Sequence, residues 1–549
     1  MARKKMFDIW TVMYVAIFLA YVVFLLYPMY SLLQNSVVGE NGKFSFEWFV
    51  KFFSAKYYSE TLLHSFNVTI CTTLLTLVIG VPLSYFYNMY EIKGKGLIQV
   101  LIILCSMSAP FIGAYAWIQL LGRAGIVTVF IQSLTGITVP NIYGFNGIVL
   151  VLTLQLFPLV FLYVSGALKN IDNSLLEASE SLSCSGVKRF FKVIIPLCMP
   201  TILAASLLVF MRAFADFGTP LLIGEGYRVF PVEIYTQYLG ETGTNYSFAA
   251  AISVIAIVIT AAIFLIQKYL SNRYAFTMNA LHPIERKKAK GLFNVFIHLF
   301  TYVIVGLSFL PQVYIVYQSF QNTSGKLFKP GYSLSSYATA LKRMGDAIPN
   351  TFIIGGIALV AVVFIAIIIA YLVVRRSNVI TTTIDTISML PYIIPGSVVG
   401  IALVMAFNKK PLVLTGTVTI MVIALCIRRL PYTIRSSAAI LQQIPITIEE
   451  AAISLGASKM KTFFKITVPM MSNGIISGAI ISWVMIITEL STAIILYNSR
   501  TITLTLAIYT FVTRGNYGYA AALATVLTVL TVLSLLLFMK FSKSKEITF

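Results

Sequence analysis

The sequence predicts an all-α polytopic membrane protein of about twelve transmembrane helices, arranged as two homologous six-helix halves. Three observations carry that expectation. First, the 549 residues are 58% hydrophobic and only 11% charged, with a mean hydropathy of +0.88, whereas about a quarter of residues are charged in an ordinary soluble protein. Second, the chain offers twelve apolar stretches, six per half: 10–33, 62–87, 97–121, 145–168, 197–222, 248–270, 293–317, 350–374, 383–407, 412–435, 470–496 and 520–540. Each approaches or exceeds the roughly 20 residues that a bilayer core requires. Third, a stretch of the chain occurs twice, as EASESLSCSGVKRFFKVIIP at Glu177–Pro196 and as EAAISLGASKMKTFFKITVP at Glu450–Pro469.

The two copies agree at Glu177/Glu450, Ala178/Ala451, Ser181/Ser454, Leu182/Leu455, Ser185/Ser458, Lys188/Lys461, Phe190/Phe463, Phe191/Phe464, Lys192/Lys465 and Pro196/Pro469. Repetition at a constant offset marks a duplicated unit. The expected organisation is therefore a first half over 1–270, a polar and basic linker over 271–292 with His282-Pro283 as a helix stop, and a second half over 293–549.

Within each half the elements correspond in order. The first apolar stretch follows Arg3, Lys4 and Lys5 and exceeds the core of a signal peptide, so it is expected to stay as an anchoring helix. Residues 34–60 are expected outside, with Phe46, Trp48, Phe49, Phe52 and Phe53 lying on the membrane interface. The second helix ends with Ser84-Tyr85, matched by Ala370-Tyr371. The next carries Pro110, matched by Pro391 and Pro395, which should kink it by freeing a backbone carbonyl. The outer segment 122–144 is longer than its counterpart around Asn408–Pro411, which shifts the register between halves until Pro158 and Pro431 restore it.

A net charge of +21 would suggest nucleic acid in a soluble protein, but here an excess of Lys and Arg on one face of the membrane accounts for it. That excess puts both termini, the tail FSKSKEITF and both repeated loops in the cytoplasm, and leaves no basic surplus that calls for a nucleic acid. Cys71, Cys105, Cys184, Cys198 and Cys426 form no C-x-x-C pair, so structural roles are expected rather than disulfide or metal staples. The histidines His64, His282 and His298 do not cluster in sequence, and no metal site is expected.

Each repeated loop reads as two short helices joined by a turn. Glu177-Ala178-Ser179 and Glu450-Ala451-Ala452 open the first, with small side chains that let another surface approach. Leu182 and Leu455 offer an apolar contact, and Gly456, matched by Ser183, permits a sharp turn. A rigid polar element presented twice suits two equivalent partner subunits. The plainer reading is a duplicated loop that merely packs on the helix bundle.

These loops resemble the EAA motif of the permease subunits of bacterial ATP-binding-cassette importers: E-A-A, a glycine four residues on, a nine-residue spacer and a hydrophobic-x-hydrophobic-Pro ending. The second copy matches through Glu450, Ala451, Ala452, Gly456, Ile466 and Pro469, and the first departs at Ser179 and Ser183. The resemblance implies a type I importer permease with both membrane halves fused. The fused architecture and the run Ala215-Asp216-Phe217-Gly218-Thr219-Pro220 resemble the iron(III) group, whose relatives also carry thiamine, phosphonates, sugar phosphates and polyamines. It further implies a bacterial inner-membrane location, two ATPase subunits gripping Glu177, Ala178, Ser179, Leu182, Ser183 and Glu450, Ala451, Ala452, Leu455, Gly456, and an external solute-binding protein. No G-x-x-x-x-G-K-[S/T] phosphate loop occurs in the chain. ATP and Mg would thus be used by the partner ATPase, with no cofactor bound and no catalytic residue in this chain.

Two acids fall inside apolar stretches, Asp216 in the fifth and Glu489 in the eleventh, at the same offset as the loops. Intramembrane carboxylates are costly and commonly face a cavity or a partner. One expectation is that they flank the pathway of a cationic or metal-bearing solute. The other is that they are satisfied locally, Asp216 by Arg212 four residues earlier. A twelve-helix carrier driven by an ion gradient is the rival function, and a membrane-embedded enzyme lacks the clustered His, Asp or Glu that it would need.

Overall fold

In the computed structural model, the described residues are 9–107, 110–137, 141–240, 245–273, 282, 284–324 and 327–541. Arg3, Lys4, Lys5, residues 274–281 and 283 of the linker and all of the tail beyond Phe541 lie outside them. Every one of the twelve apolar stretches carries helix. Among the described residues nine helices are long and apolar enough to cross a membrane, and two further helix pairs are apolar but bent, Val379–Ile393 with Gly396–Phe407 by 113° and Lys459–Met470 with Ser472–Ile487 by 68°. The tenth stretch forms one helix, Val418–Gln443, which holds Arg428, Arg429 and Arg435.

The prolines break helices where the sequence predicts kinks. Pro391 opens the four-residue helix Leu390–Ile393, and Pro395 is the cap before Gly396–Phe407, because a ring nitrogen cannot continue the hydrogen-bond ladder. In the third stretch the described residues form the helices Lys95–Met107 and Pro110–Leu121.

The chain forms two compact packing units, and they do not coincide with the sequence halves. One unit comprises 52–233 and 258–317. Its centre is three helices, Lys56–Met89, Phe145–Lys169 and Ile195–Phe214, packed around Ile148, Leu152, Phe157, Val160 and Phe161, all at most 1% exposed. Gly80 lies so close to Val160 that an added Cβ would stand 2.8 Å from its side chain. Ser84 donates to the carbonyls of Gly80 at 2.7 Å and Phe161 at 3.1 Å, so even its hydroxyl is satisfied inside the bundle. The helix Gly291–Ser319, first in the second sequence half, belongs to this unit: Ile297 and Val305 pack with Leu83 and Phe161, and Ser308 donates to the Leu154 carbonyl at 3.0 Å.

The other unit comprises 1–51, 234–257 and 318–549. It repeats the three-helix centre with Ala347–Arg375, Val418–Gln443 and Ser472–Ile487. Here Gly474 and Gly478 allow the last two helices to touch, and Ser436 donates to the Gly474 carbonyl at 2.8 Å. The first helix of the chain, running from Ile9 to Ser36, belongs to this unit. Its Trp10 lies 4.7 Å from the Tyr371 ring and 5.2 Å from Phe463, while Tyr21 and Leu25 join Val362, Ala366 and Ile369.

The interfacial aromatics of the first outer segment divide in two. In the helix Glu47–Ser54, Phe53 is exposed, as is Phe46 just before it, but Trp48 and Phe52 are buried. Trp48 lies 5.9 Å from the Phe248 ring in a tilted arrangement and donates to the Val38 carbonyl at 2.8 Å, and Phe52 meets Phe230 edge-on at 5.6 Å.

Close helix contact at Gly478 has a measurable consequence. A Cβ there would sit 2.7 Å from the Thr433 Cα, backbone that cannot rotate away, whereas a Cβ at Gly356 meets nothing within 4 Å. Overpacking costs about 1–3 kcal/mol. Gly478→Val is therefore expected to lower the thermal unfolding midpoint in detergent, with Gly356→Val close to the native value.

Candidate functional site: two repeated loops and two broken helices

The repeated loops fold alike despite their differences in sequence. The first opens with the helix Asn173–Ser181, whose cap Asp172 accepts the Ser174 N–H at 2.9 Å. The second opens with Thr447–Ser454. Glu177, Ala178, Glu450 and Ala451 are exposed, while Ser179 and Ala452 turn inward and are buried. Of each small pair, then, only the first residue is available to another molecule. The second lets the loop's own helix lie close to its unit.

The turn that Gly456 makes at φ +87° is kept in the first copy by Ser183 at φ +56°. A non-glycine residue rarely holds this conformation, so the shape of the turn is retained where the preferred residue is absent. Just before it, Leu182 is 80% exposed and Leu455 is 89% exposed. A leucine at the tip of a short polar helix, in the same place twice, forms an apolar contact point with no cover in its own unit.

Behind each turn, paired phenylalanines attach the loop to the membrane helices. Phe190 lies 4.8 Å from Tyr85, and Phe463 lies 4.8 Å from Tyr371. These tyrosines are the matched residues expected to end the second helix of each half; each helix instead runs four residues further, to Met89 and to Arg375. Phe191 and Phe464 remain exposed. Both segments contain a π-helical turn, Phe190–Ile194 and Phe463–Thr467.

The anchors of the two loops differ. Glu449, beside the exposed Glu450, is buried; it accepts from Arg375 Nε at 2.9 Å and from the Tyr371 hydroxyl at 3.1 Å. Its counterpart is the buried Leu176. The first loop uses Glu180 instead, which accepts from Lys287 at 2.7 Å and Arg189 at 3.3 Å. Lys287, followed by Arg189, holds the Glu180 carboxyl below its usual range. Asp172 also accepts the His282 N–H at 3.1 Å. Sequence reasoning missed that the linker is tied to the first loop.

Asp216 and Glu489 are not within helices, as the continuous apolar runs led one to expect. Each sits in a break. The helix Ile195–Phe214 ends before Asp216 and a short helix Gly218–Ile223 follows; Ser472–Ile487 ends before Glu489 and Ala493–Leu496 follows. Asp216 accepts the Thr219 N–H at 3.0 Å and Glu489 accepts the Thr492 N–H at 3.0 Å. The two acids thus do one job, satisfying a backbone donor where helix geometry stops inside the membrane. Asp216 engages its own break.

Glu489 does more. It is paired with both Arg428 and Arg429 from the helix Val418–Gln443 and accepts from Ser491 Oγ at 2.8 Å. Arg428 also donates to Thr492 Oγ1 at 2.8 Å. The expectation from sequence overlooked these arginines, although both lie in the apolar stretch 412–435. The first half has Gln155 and Leu156 at the equivalent positions. Among the described residues, no group of three or more His, Cys, Asp or Glu is placed to hold a metal ion.

Residues 76–276 and 362–545, most of the chain in two separate segments, match the family described as binding-protein-dependent transport system inner membrane component. The chain belongs to this family. It is 27% identical over 517 residues to the ferric transport system permease protein FbpB of Actinobacillus pleuropneumoniae, which covers 92% of this chain and 74% of that protein. It is 28% identical over 492 residues to the putative ferric transport system permease protein FbpB 1 of Haemophilus influenzae, with 87% and 76% covered. A putative 2-aminoethylphosphonate transport system permease protein PhnU of Salmonella typhi is 25% identical over 251 residues, 45% of this chain and 86% of that one.

As an inner-membrane component of a binding-protein-dependent system, the chain is a multi-pass transport subunit, and the gradient-driven carrier and the embedded enzyme are set aside. The two breaks differ in how much each acid supports. Glu489→Gln leaves two guanidiniums without their shared counter-charge, and breaking a buried pair costs about 3–5 kcal/mol. Asp216→Asn keeps an accepting oxygen, and Asn caps a helix about as well as Asp. Thermal unfolding of the purified variants is expected to show a large loss for Glu489→Gln and a small one for Asp216→Asn.

Proposed function

We propose that this permease forms the solute pathway of an ATP-binding-cassette importer and is driven by two copies of a separate ATPase subunit. The loops Glu177–Pro196 and Glu450–Pro469 are the couplers. The observation that carries this reading is the pair of exposed leucine tips, Leu182 and Leu455, each beside a left-handed turn and an exposed Glu-Ala step. A partner that covers both tips would bury apolar surface worth about 25 cal/mol per Å². Closure of two ATPase subunits on ATP would draw the tips together, and the aromatic contacts Phe190–Tyr85 and Phe463–Tyr371 would pass the motion to the second helix of each half.

In this reading ATP and Mg are handled by the partner, an external binding protein delivers the solute, and both termini and both loops face the cytoplasm. The excess of positive charge on that side supports the orientation. The solute is iron(III) or a related small solute; the similarity to ferric transport permeases over most of the chain supports iron(III), and the likeness of one half to a phosphonate permease keeps a small oxyanion in the class.

The test is co-purification of the partner ATPase from lipid nanodiscs with the native chain and with Glu177→Arg plus Glu450→Arg. The native chain is expected to retain the ATPase and the double variant to lose it. Retention by both, or by neither, would remove the loops from the coupling role.

A further inference from the structure

The second half contains a built polar junction whose charges do not cancel. Arg428 and Arg429 come from the helix Val418–Gln443, and Glu489, Ser491 and Thr492 come from the break after Ser472–Ile487. A third element closes on the same point. The helix Gly396–Phe407 begins so near that a Cβ on Gly396 would collide with Arg428 Nη1, Ser491 Oγ and Thr492 Oγ1. Two cations and one carboxylate leave one net positive charge, and the N-terminus of a twelve-residue helix adds to it.

Arg428 makes all its bonds among the described residues through Nη1, to Glu489, Ser491 and Thr492. Its Nε is buried without a partner, and so is Oγ of Ser397, the residue after Gly396, which is itself 0% exposed. The Nε edge of a guanidinium is one of the sides that can grip a carboxylate or phosphate with two parallel bonds. The Arg428 side chain nevertheless keeps 13% exposure. A guanidinium turned to lipid is costly, so intramembrane arginines turn to a partner or a water-filled cavity. A role in packing common to both halves does not explain the charge, since Gln155 and Leu156 stand at the equivalent positions, and the Gln155 Oε1 is buried without a partner.

We propose that the Nε edge of Arg428, at the start of the helix Gly396–Phe407, binds an oxyanion group of the solute during passage. The group belongs either to the solute itself or to an anionic ligand that accompanies a metal ion. This rests on the importer reading above: Glu489 is occupied with two arginines and a cap, and the unengaged edge is positive. Broken helices whose N-termini face anionic groups are a known way to build such sites.

The experiment uses the complete transporter, permease with its ATPase and binding protein, in proteoliposomes. Uptake is followed with two probes, iron(III) citrate labelled separately on iron and citrate, and labelled 2-aminoethylphosphonate. Arg428→Gln is expected to cut ATP-dependent uptake about tenfold or more, from the loss of a charge-assisted contact, and Arg428→Lys to restore part of it. Ser491→Asp adds a carboxylate at a position 3.3 Å from Arg428 Nη1, and is expected to produce the same loss with the ATPase still bound. This second variant decides the matter should Arg428→Gln fail to assemble. Citrate entering with iron identifies an escorting ligand, and phosphonate uptake identifies an oxyanion on the solute. Iron entering without citrate and without phosphonate uptake, or Ser491→Asp transporting as well as the native form, would overturn the proposal. A native complex that binds its ATPase poorly and moves neither probe would instead overturn the importer reading on which it stands.

Discussion

Inside a bilayer, a backbone that leaves helical geometry has no water to turn to, and each unmatched N–H or C=O costs several kcal/mol. This constraint governs the two halves of the permease. Both break a helix after the repeated loop, and both place a carboxylate at the break to accept the backbone N–H three residues on, Asp216 for Thr219 and Glu489 for Thr492. The acids are conditions of the fold before they are anything else. Asp216 caps its own break while Glu489 also holds two arginines, so the same solution is reached once with a local cap and once with a buried charge cluster.

That difference recurs at the loops. Their outward faces are alike: exposed Glu and Ala, an exposed leucine, a left-handed residue and an exposed phenylalanine. Their inward faces are not. Buried Glu449 binds Arg375 and Tyr371, where Leu176 lies in the first copy, and exposed Glu180 reaches Lys287 of the linker. Surface pairs are screened by salt and buried ones much less so, which gives the first loop the softer anchor. The two copies thus share an outward face and differ in the way each is fastened.

The sequence announced the large features because they rest on strong, local signals. Apolar runs located the helices, and repetition at one offset paired the loops and the two acids. It concealed what depends on geometry. The breaks around 215–217 and 488–492 lie inside unbroken apolar runs with no proline at the break itself, so composition reads straight through them. Ser183 did not signal a left-handed turn, since only tertiary context makes a serine accept it. The motif drew attention to Glu450, although its neighbour Glu449 is the buried one. Arg428 and Arg429 were visible within 412–435 but, unlike the acids, have no basic counterparts in the first half, so the repeat did not point to them. The placement of Ile9–Ser36 with the second half, and of Gly291–Ser319 with the first, was hidden for another reason: helices apolar on every side carry no pattern that names a neighbour.

The proposed coupling requires the two leucine tips to be equivalent docking points for one kind of subunit. The direct measurement is site-specific cross-linking of the assembled transporter with cysteines at Leu182→Cys and Leu455→Cys, one at a time, in a chain whose native cysteines are replaced. Each is expected to give a cross-link to the ATPase, with similar yield and one ATPase per tip. Absence of the cross-link at either tip, with the complex intact, would contradict it.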